Sequence, residues 1–421
     1  MVALFKQSAA WIVAALIALV LPWIFTSGYA LTVFSQIGVL IIFALAYNML
    51  LGQTGLLSFG HAVYFGLAGY FTAHYLNGIA EGSVPFIPVS LMPLVGGLAG
   101  LFFGVLIGFV STRRAGTTFA MISLGFAEMA TALTLIVVSF FNGEEGIQTD
   151  RMIEPRPLGL SYGPDIQVYY LIAVWCLIAI AAMYVLTRTP FGRMCNAVRD
   201  NPERVEFVGY NTHRVRWLAF ALSSFFAGMA GALHALNVEH VGFETVGIAQ
   251  SGTVLFMVYI GGAGNFAGPI LGAILISILN STLSDITEAW FLYLGILFIT
   301  IVMFAQGGLA GLIVMHEPIW KTDTRLLRDM ALPYAYGIGA FLIACIGLVG
   351  LIELIYFLST RQTADTEMTL YGVRVDASSI APWVVCAAIA GLGVEACRRT
   401  FAPMAESYNA AIAEVRARAA R

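Results

Sequence analysis

TRTPFGRMCNAVRDNPERVEFVGYNTHRVR, residues 187–216, is the longest strongly charged stretch between two apolar runs of membrane length, 168–186 and 217–237. It carries six arginines, Arg188, Arg193, Arg199, Arg204, Arg214 and Arg216. By the positive-inside rule such a loop lies on the cytoplasmic face, and this settles how the chain is threaded. Local signals inside it describe two short helices with a joint. Asn201 is a capping residue, Pro202 fits a first helical position, and Gly209 supplies a left-handed stop after Val208. Before the joint, Met194, Ala197 and Val198 recur at helical spacing among Arg193, Asn196 and Arg199. A small mixed surface of this kind can dock into a groove on another protein.

Outward from that loop, 59% of the chain is hydrophobic and only 11% charged, against about 25% in soluble proteins. The apolar runs reach the ~20 residues that a helix needs to cross hydrocarbon. Helices, which satisfy their own backbone, are therefore expected to do the spanning, in an all-α polytopic membrane protein of about 10–12 transmembrane or re-entrant segments. A twelve-segment reading takes 8–26, 31–51, 56–77, 89–110, 117–141, 168–186, 217–237, 247–262, 266–283, 290–306, 332–358 and 380–396. With both termini inside, the cytoplasmic regions collect every one of the 21 Lys+Arg except Arg151, Arg156, Arg361 and Arg374. Lys6 ahead of an apolar run also resembles the start of a signal peptide. A retained first helix fits the parity of the later loops better. The five cysteines include no CxxC pair and are expected to be free thiols.

Glycines 52, 55, 60, 66 and 69 crowd the stretch that follows Asn48 and surrounds His61. Such spacing serves either close helix packing or a broken helix lining a pathway, with Asn48 and His61 as polar groups at membrane depth. Glu128 falls near the middle of the fifth segment, where burying a carboxylate costs about 2.5–3.5 kcal/mol. It lines the path or makes a structural bond between helices. Residues 142–167 form a long acidic external loop, a landing platform for an outside partner or a solvated connector. A second glycine-rich interruption, VYIGGAGNFAGPILGAI at 258–274, stands in the latter half much as 52–69 stands in the first. Three regions result: a core at 1–315, a charged cytoplasmic linker at 316–331, and a two-helix extension with a basic tail at 332–421. The tail arginines hold orientation or attract anionic membrane lipid.

Enzymatic classes find no support. No metal-ligand cluster, Ser/His/Asp arrangement or paired intramembrane carboxylate stands at usable spacing. The only lysines, Lys6 and Lys321, lack the glycine that a GxxxxGK[ST] phosphate loop requires. Energy for any transport must come from an ion gradient or from another polypeptide. No catalytic residue, metal, cofactor or nucleic-acid partner is expected in this chain.

Three stretches carry a resemblance: NMLLGQTGLLSFGHAVYFGLAGY (48–70), RTPFGRMCNAVRDNPERVEFVGYNTHRVRWLAFALSSFFAGMAGALHAL (188–236) and VYIGGAGNFAGPILGA (258–273). Together they resemble the permease subunits of branched-chain amino acid ABC importers, most nearly the M-type of two paralogous permeases, over about 30–313. The resemblance implies an inner-membrane subunit of an ATP-driven importer. Its partners would be two cytoplasmic ATPase subunits that use the ATP, a second paralogous permease, and a periplasmic substrate-binding protein. It also implies that Gly192, Arg193, Ala197, Arg199, Asp200, Asn201 and Gly209 form the coupling helix that docks on the ATPase. Pro202 departs from the pattern, in which many members carry Glu. Relatives handle leucine, isoleucine and valine, and some handle urea, short amides or aromatic acids. A gradient-driven secondary transporter or channel is the alternative class, and a membrane scaffold would leave the glycine-rich breaks without a role.

Overall fold

Apolar runs parted by capping and left-handed residues become helices in the computed structural model, which describes residues 2–154, 159–305, 307–322, 324–360 and 366–419. Arg156, Arg361 and Arg421, placed above by charge, lie outside the described residues, as does the side chain of Lys6. α1 (Val2–Ile24) and α2 (Gly28–Thr54) are parted at Ser27, whose hydroxyl accepts from the Ala30 N–H at 3.2 Å. α2 ends at Gly55, left-handed at φ 69°, and α3 runs from Ala62–Ala80. Next come α4 (Met92–Ser111), α5 (Thr117–Ile136) and α6 (Val138–Phe141), then α7 (Asp165–Arg188). The charged loop folds as α8 (Pro190–Asp200) and α9 (Pro202–Phe207), ahead of α10 (Thr212–Val238). The remaining helices are α11 (Ile248–Gly261), α12 (Gly268–Leu283), α13 (Trp290–Phe304), α14 (Gly308–Thr322), α15 (Thr324–Thr360) and α16 (Ile380–Ala419). Two short antiparallel ribbons, which the sequence pattern did not announce, pair β1 (Ile147–Gln148) with β2 (His240–Val241) and β3 (Glu367–Leu370) with β4 (Val373–Asp376).

Among the described residues seven helices are long and apolar enough to cross a membrane: α2, α4 with its leading turn, α5, α7, α10, α15 and α16. α13 and α14, bent by 41° at their junction, make eight if they count as one span. All twelve expected segments fall on helices, yet not as twelve equal crossings. α11 and α12, of 14 and 16 residues, rise only about 21 and 24 Å. That is short of the ~30 Å hydrocarbon thickness, so each reaches part way. The segment expected at 56–77 becomes helical only at Ala62, leaving 55–61 as a break that carries His61.

The chain divides into two compact units, Met1–Ile286 with Leu294–Gly311, and Thr287–Tyr293 with Leu312–Arg421. In the first, α10 is the axis and buries small residues against α2, α3 and α4. Gly96, Gly100, Gly104 and Gly108 recur every fourth residue down α4 and face Phe220, Ser224 and Gly228 of α10. A Cβ on Gly100 would lie 2.3 Å from the Ser224 carbonyl oxygen, so the backbones touch. The loop between α6 and α7 is held by Arg151, only 8% exposed. Its Nε donates to the Tyr162 carbonyl at 2.6 Å, Nη1 to those of Leu236 and Asn237 at 3.2 and 3.3 Å, and Nη2 to Gly163 O and Asp165 Oδ1, both at 3.1 Å. The guanidinium thereby meets carbonyls left open at the end of α10, where the helix dipole favours a cation.

In the second unit α15 and α16 run antiparallel with Gly347 against Ala390 and Gly393 against Ala344. Their 37 and 40 residues span about 55 and 60 Å, well beyond one bilayer. The stretch read as a basic tail therefore continues the helix: Tyr408, Ala411, Ile412 and Val415 pack with Ile319, Leu326 and Met330.

Candidate functional site

Side-chain caps build the loop between α7 and α10. Thr189 accepts from the Gly192 N–H at 3.3 Å and Pro190 opens α8. Asn201 then accepts from Arg204 N–H at 2.9 Å and Pro202 opens α9, so Pro202 fits the joint. Gly209, at φ 91°, turns the chain, and Asn211 caps α10 through Arg214 N–H at 3.0 Å. Cys195 and Val198 close on Val205, Val215 and Ala219. Burial pushes the Cys195 thiol up to about 12.

The residues named for this loop divide by direction. Gly192 is buried, and a Cβ there would meet the Leu186 carbonyl at 2.4 Å, so its smallness serves the chain's own bend. Arg193, Asp200, Asn201 and Gly209 are exposed, and Ala197 is half-buried. Arg199 turns back toward the bundle: Nη1 donates to the Gly52 carbonyl and Nε to Asp200 Oδ1 at 3.0 Å. The strongest surface feature was missed in the sequence. Phe207 is 90% exposed and is followed by exposed Val208 and Tyr210. Helical spacing would have marked them as a helix end, but only their position beyond the capped joint leaves them uncovered.

Beneath α8 lies a polar cavity of about 200 Å³ lined by Asn48, Gln53, Asn196, Arg199 and residues 263–266. The two glycine-rich breaks meet here. A Cβ on Gly52 would lie 2.2 Å from Asn48 Oδ1 and 2.4 Å from the Ala263 carbonyl oxygen. Asn48 is buried, and its Oδ1 has no hydrogen-bond partner among the described residues.

His61 sits deeper, fully buried among Phe43, Tyr47, Tyr64 and Phe220. Ser223 Oγ donates to the Ala46 carbonyl at 2.5 Å and lies 3.1 Å from His61 Nε2. With that hydroxyl proton committed, Nε2–H donates to Ser223 and Nδ1 keeps a lone pair, unmet among the described residues. Tyr47 pins the break by donating to Ser58 O at 2.9 Å. Tyr47 and Ser223 were not singled out, since neither stands in a polar run. Glu128 is exposed on α5 and lines neither described cavity. The second cavity, about 540 Å³, is lined by His74, Asn77, Glu81, Ser83, Asn142 and Gln148. Its residues come from three separate stretches, which sequence spacing does not connect. No group of three or more His, Cys, Asp or Glu is placed to hold a metal among the described residues.

Helices broken around buried polar groups, joined to a capped loop helix, are the parts of a polytopic membrane permease. Residues 29–317 match the family described as branched-chain amino acid transport system / permease component, and the chain belongs to that family. As a member it is a transport component and not an enzyme. It is 28% identical over 321 residues to the high-affinity branched-chain amino acid transport system permease protein LivM of Escherichia coli K12, covering 70% of this chain and 73% of that protein. It is 25% identical over 328 residues to a probable branched-chain amino acid transport permease protein LivM of Methanocaldococcus jannaschii, covering 65% and 90%. A nucleoside ABC transporter permease, NupC of Lactococcus lactis, is 31% identical over 105 residues, 25% of this chain and 33% of that one. No solved structure matches.

Proposed function

We propose that the chain is the M-type permease subunit of an ATP-driven importer. It moves branched-chain or other hydrophobic amino acids, or small polar solutes such as urea or amides, inward across the bacterial inner membrane. Both termini are cytoplasmic. The α8–α9 elbow docks on the ATPase, of which the importer holds two subunits that use the ATP, a second, paralogous permease completes the path, and a periplasmic binding protein delivers the solute. The core at 1–315 carries transport, and 332–421 is an appended element joined through 316–331.

One observation carries this reading: α8–α9 buries Cys195, Val198 and Val205 against its own chain while exposing Arg193, Arg204, Phe207 and Val208. An aromatic anchor rimmed by arginines is the composition of a binding hot spot. Asn48 and His61 belong to the inner lining. Glu128, on the open face of α5, lines the path where the second permease covers that face. The test is leucine uptake by proteoliposomes holding the full assembly. Uptake that persists with the proton gradient collapsed and ATP present supports the reading; uptake that tracks the gradient and ignores ATP overturns it.

A further inference from the structure

α2 ends, as every helix does, with backbone carbonyls that have no donor inside the helix. The Gly55 N–H meets the Leu51 carbonyl at 3.2 Å, and the Thr54 hydroxyl meets that of Leu50 at 2.7 Å. The Gly52 carbonyl is met from a different element, by Nη1 of Arg199 on α8. Asp200 holds the plane of the same guanidinium through Nε at 3.0 Å. The arginine stem rests on Gly55, where a Cβ would sit 3.0 Å from Arg199 Cγ. Left-handed backbone and close approach coincide at Gly55. On its far side Gly52 abuts the Ala263 carbonyl. One side chain thus ties α8 to the point where both glycine-rich breaks meet.

Accepting α8–α9 as the ATPase contact, we propose that Arg199 is a positioning residue that carries displacement of α8 into the end of α2 and on to the break between α11 and α12. It takes no part in holding the ATPase. Arginine suits this link: its charge is permanent, its fork is planar, and it binds the negative end of a helix. Its side chain is 38% exposed. Arg193, six residues earlier, lies about 120° round the helix, and it faces away from the chain. On α2 the motion passes Tyr47, which holds Ser58 and hence the break that carries His61.

The experiment uses the whole permease–ATPase assembly in nanodiscs. A nitroxide on p-acetylphenylalanine is placed at Arg193, on the outer face of α8, or at Gln53, near the end of α2. This leaves the five native cysteines untouched. In the otherwise wild-type assembly both spectra change when ATP is trapped with vanadate. In Arg199→Ala the ATPase still co-purifies and the label at Arg193 keeps its change. The change at Gln53 falls below about one fifth, the loss expected when a charge-assisted hydrogen bond is removed, and Arg199→Lys recovers part of it. If both labels still respond in Arg199→Ala, the link is not Arg199. If both fall silent together with ATPase binding, Arg199 serves docking, and the proposal fails while the permease reading stands. A wild-type assembly in which neither label responds sinks the permease reading itself.

Discussion

Arg151 and Cys195 are both buried, one as a charge and one as a neutral thiol, and each makes a different demand on the fold. The guanidinium of Arg151 is held by four backbone carbonyls and by Asp165, so Arg151→Leu leaves acceptors at the end of α10 unmet. Breaking a buried charged contact costs about 3 kcal/mol, which thermal unfolding in detergent reads as a lowered midpoint. An unchanged midpoint contradicts the role given to Arg151. For Cys195 the folded pKa lies above the ordinary value of 9.0, so the folded state binds the proton more tightly. Its contribution to stability is intact below pH 9.0 and is lost as pH rises toward about 12. Maleimide labelling of Cys195 at pH 8 is therefore expected to be slow, and to quicken above pH 9 as α8–α9 opens. Fast labelling at pH 8 contradicts the buried joint.

At the scale of elements the small residues divide into those that face a neighbour and those that do not. Gly100 meets the α10 backbone, and Gly125 on α5 has nothing within 4 Å of a built Cβ. Gly100→Leu is expected to cost about 3 kcal/mol by overpacking, while Gly125→Leu is neutral or stabilising. Equal thermal midpoints for the two variants would contradict the seam. The two-helix loop was open to sequence reading, because Asn201, Pro202 and Gly209 act through local backbone geometry, whereas the every-fourth-residue stripe in α4 was not singled out and shows its purpose only once α10 lies against it. Two further things were not legible. The side on which Arg199 lies depends on how α8 rolls against Cys195 and Val198, a tertiary choice. The meeting of Gly52 with Ala263 joins residues far apart in the chain, and no local pattern encodes it. Residues 56–61 were placed at the start of segment 56–77 with a broken helix as the alternative, and the chain is broken there, where Tyr47 and Ser123 satisfy the backbone from outside, the latter accepting from Phe59 N–H at 3.0 Å.

For the whole molecule, the division into two units has a direct consequence. α8–α9, both glycine-rich breaks and His61 all belong to the first unit, and α15 and α16 to the second. A chain ended after Ile313 is expected to reach the membrane and to co-purify with its ATPase subunits at the full-length yield. Loss of the ATPase on truncation would give the second unit a part in assembly. The account as a whole depends on the exposed end of α9 meeting a nucleotide-hydrolysing partner, and photo-crosslinking tests this most directly. With p-benzoylphenylalanine at Phe207 in membranes that also hold the proposed ATPase subunits and second permease, irradiation is predicted to join the chain to an ATPase subunit. Adducts with lipid alone, or with a protein outside the cytoplasm, would contradict it.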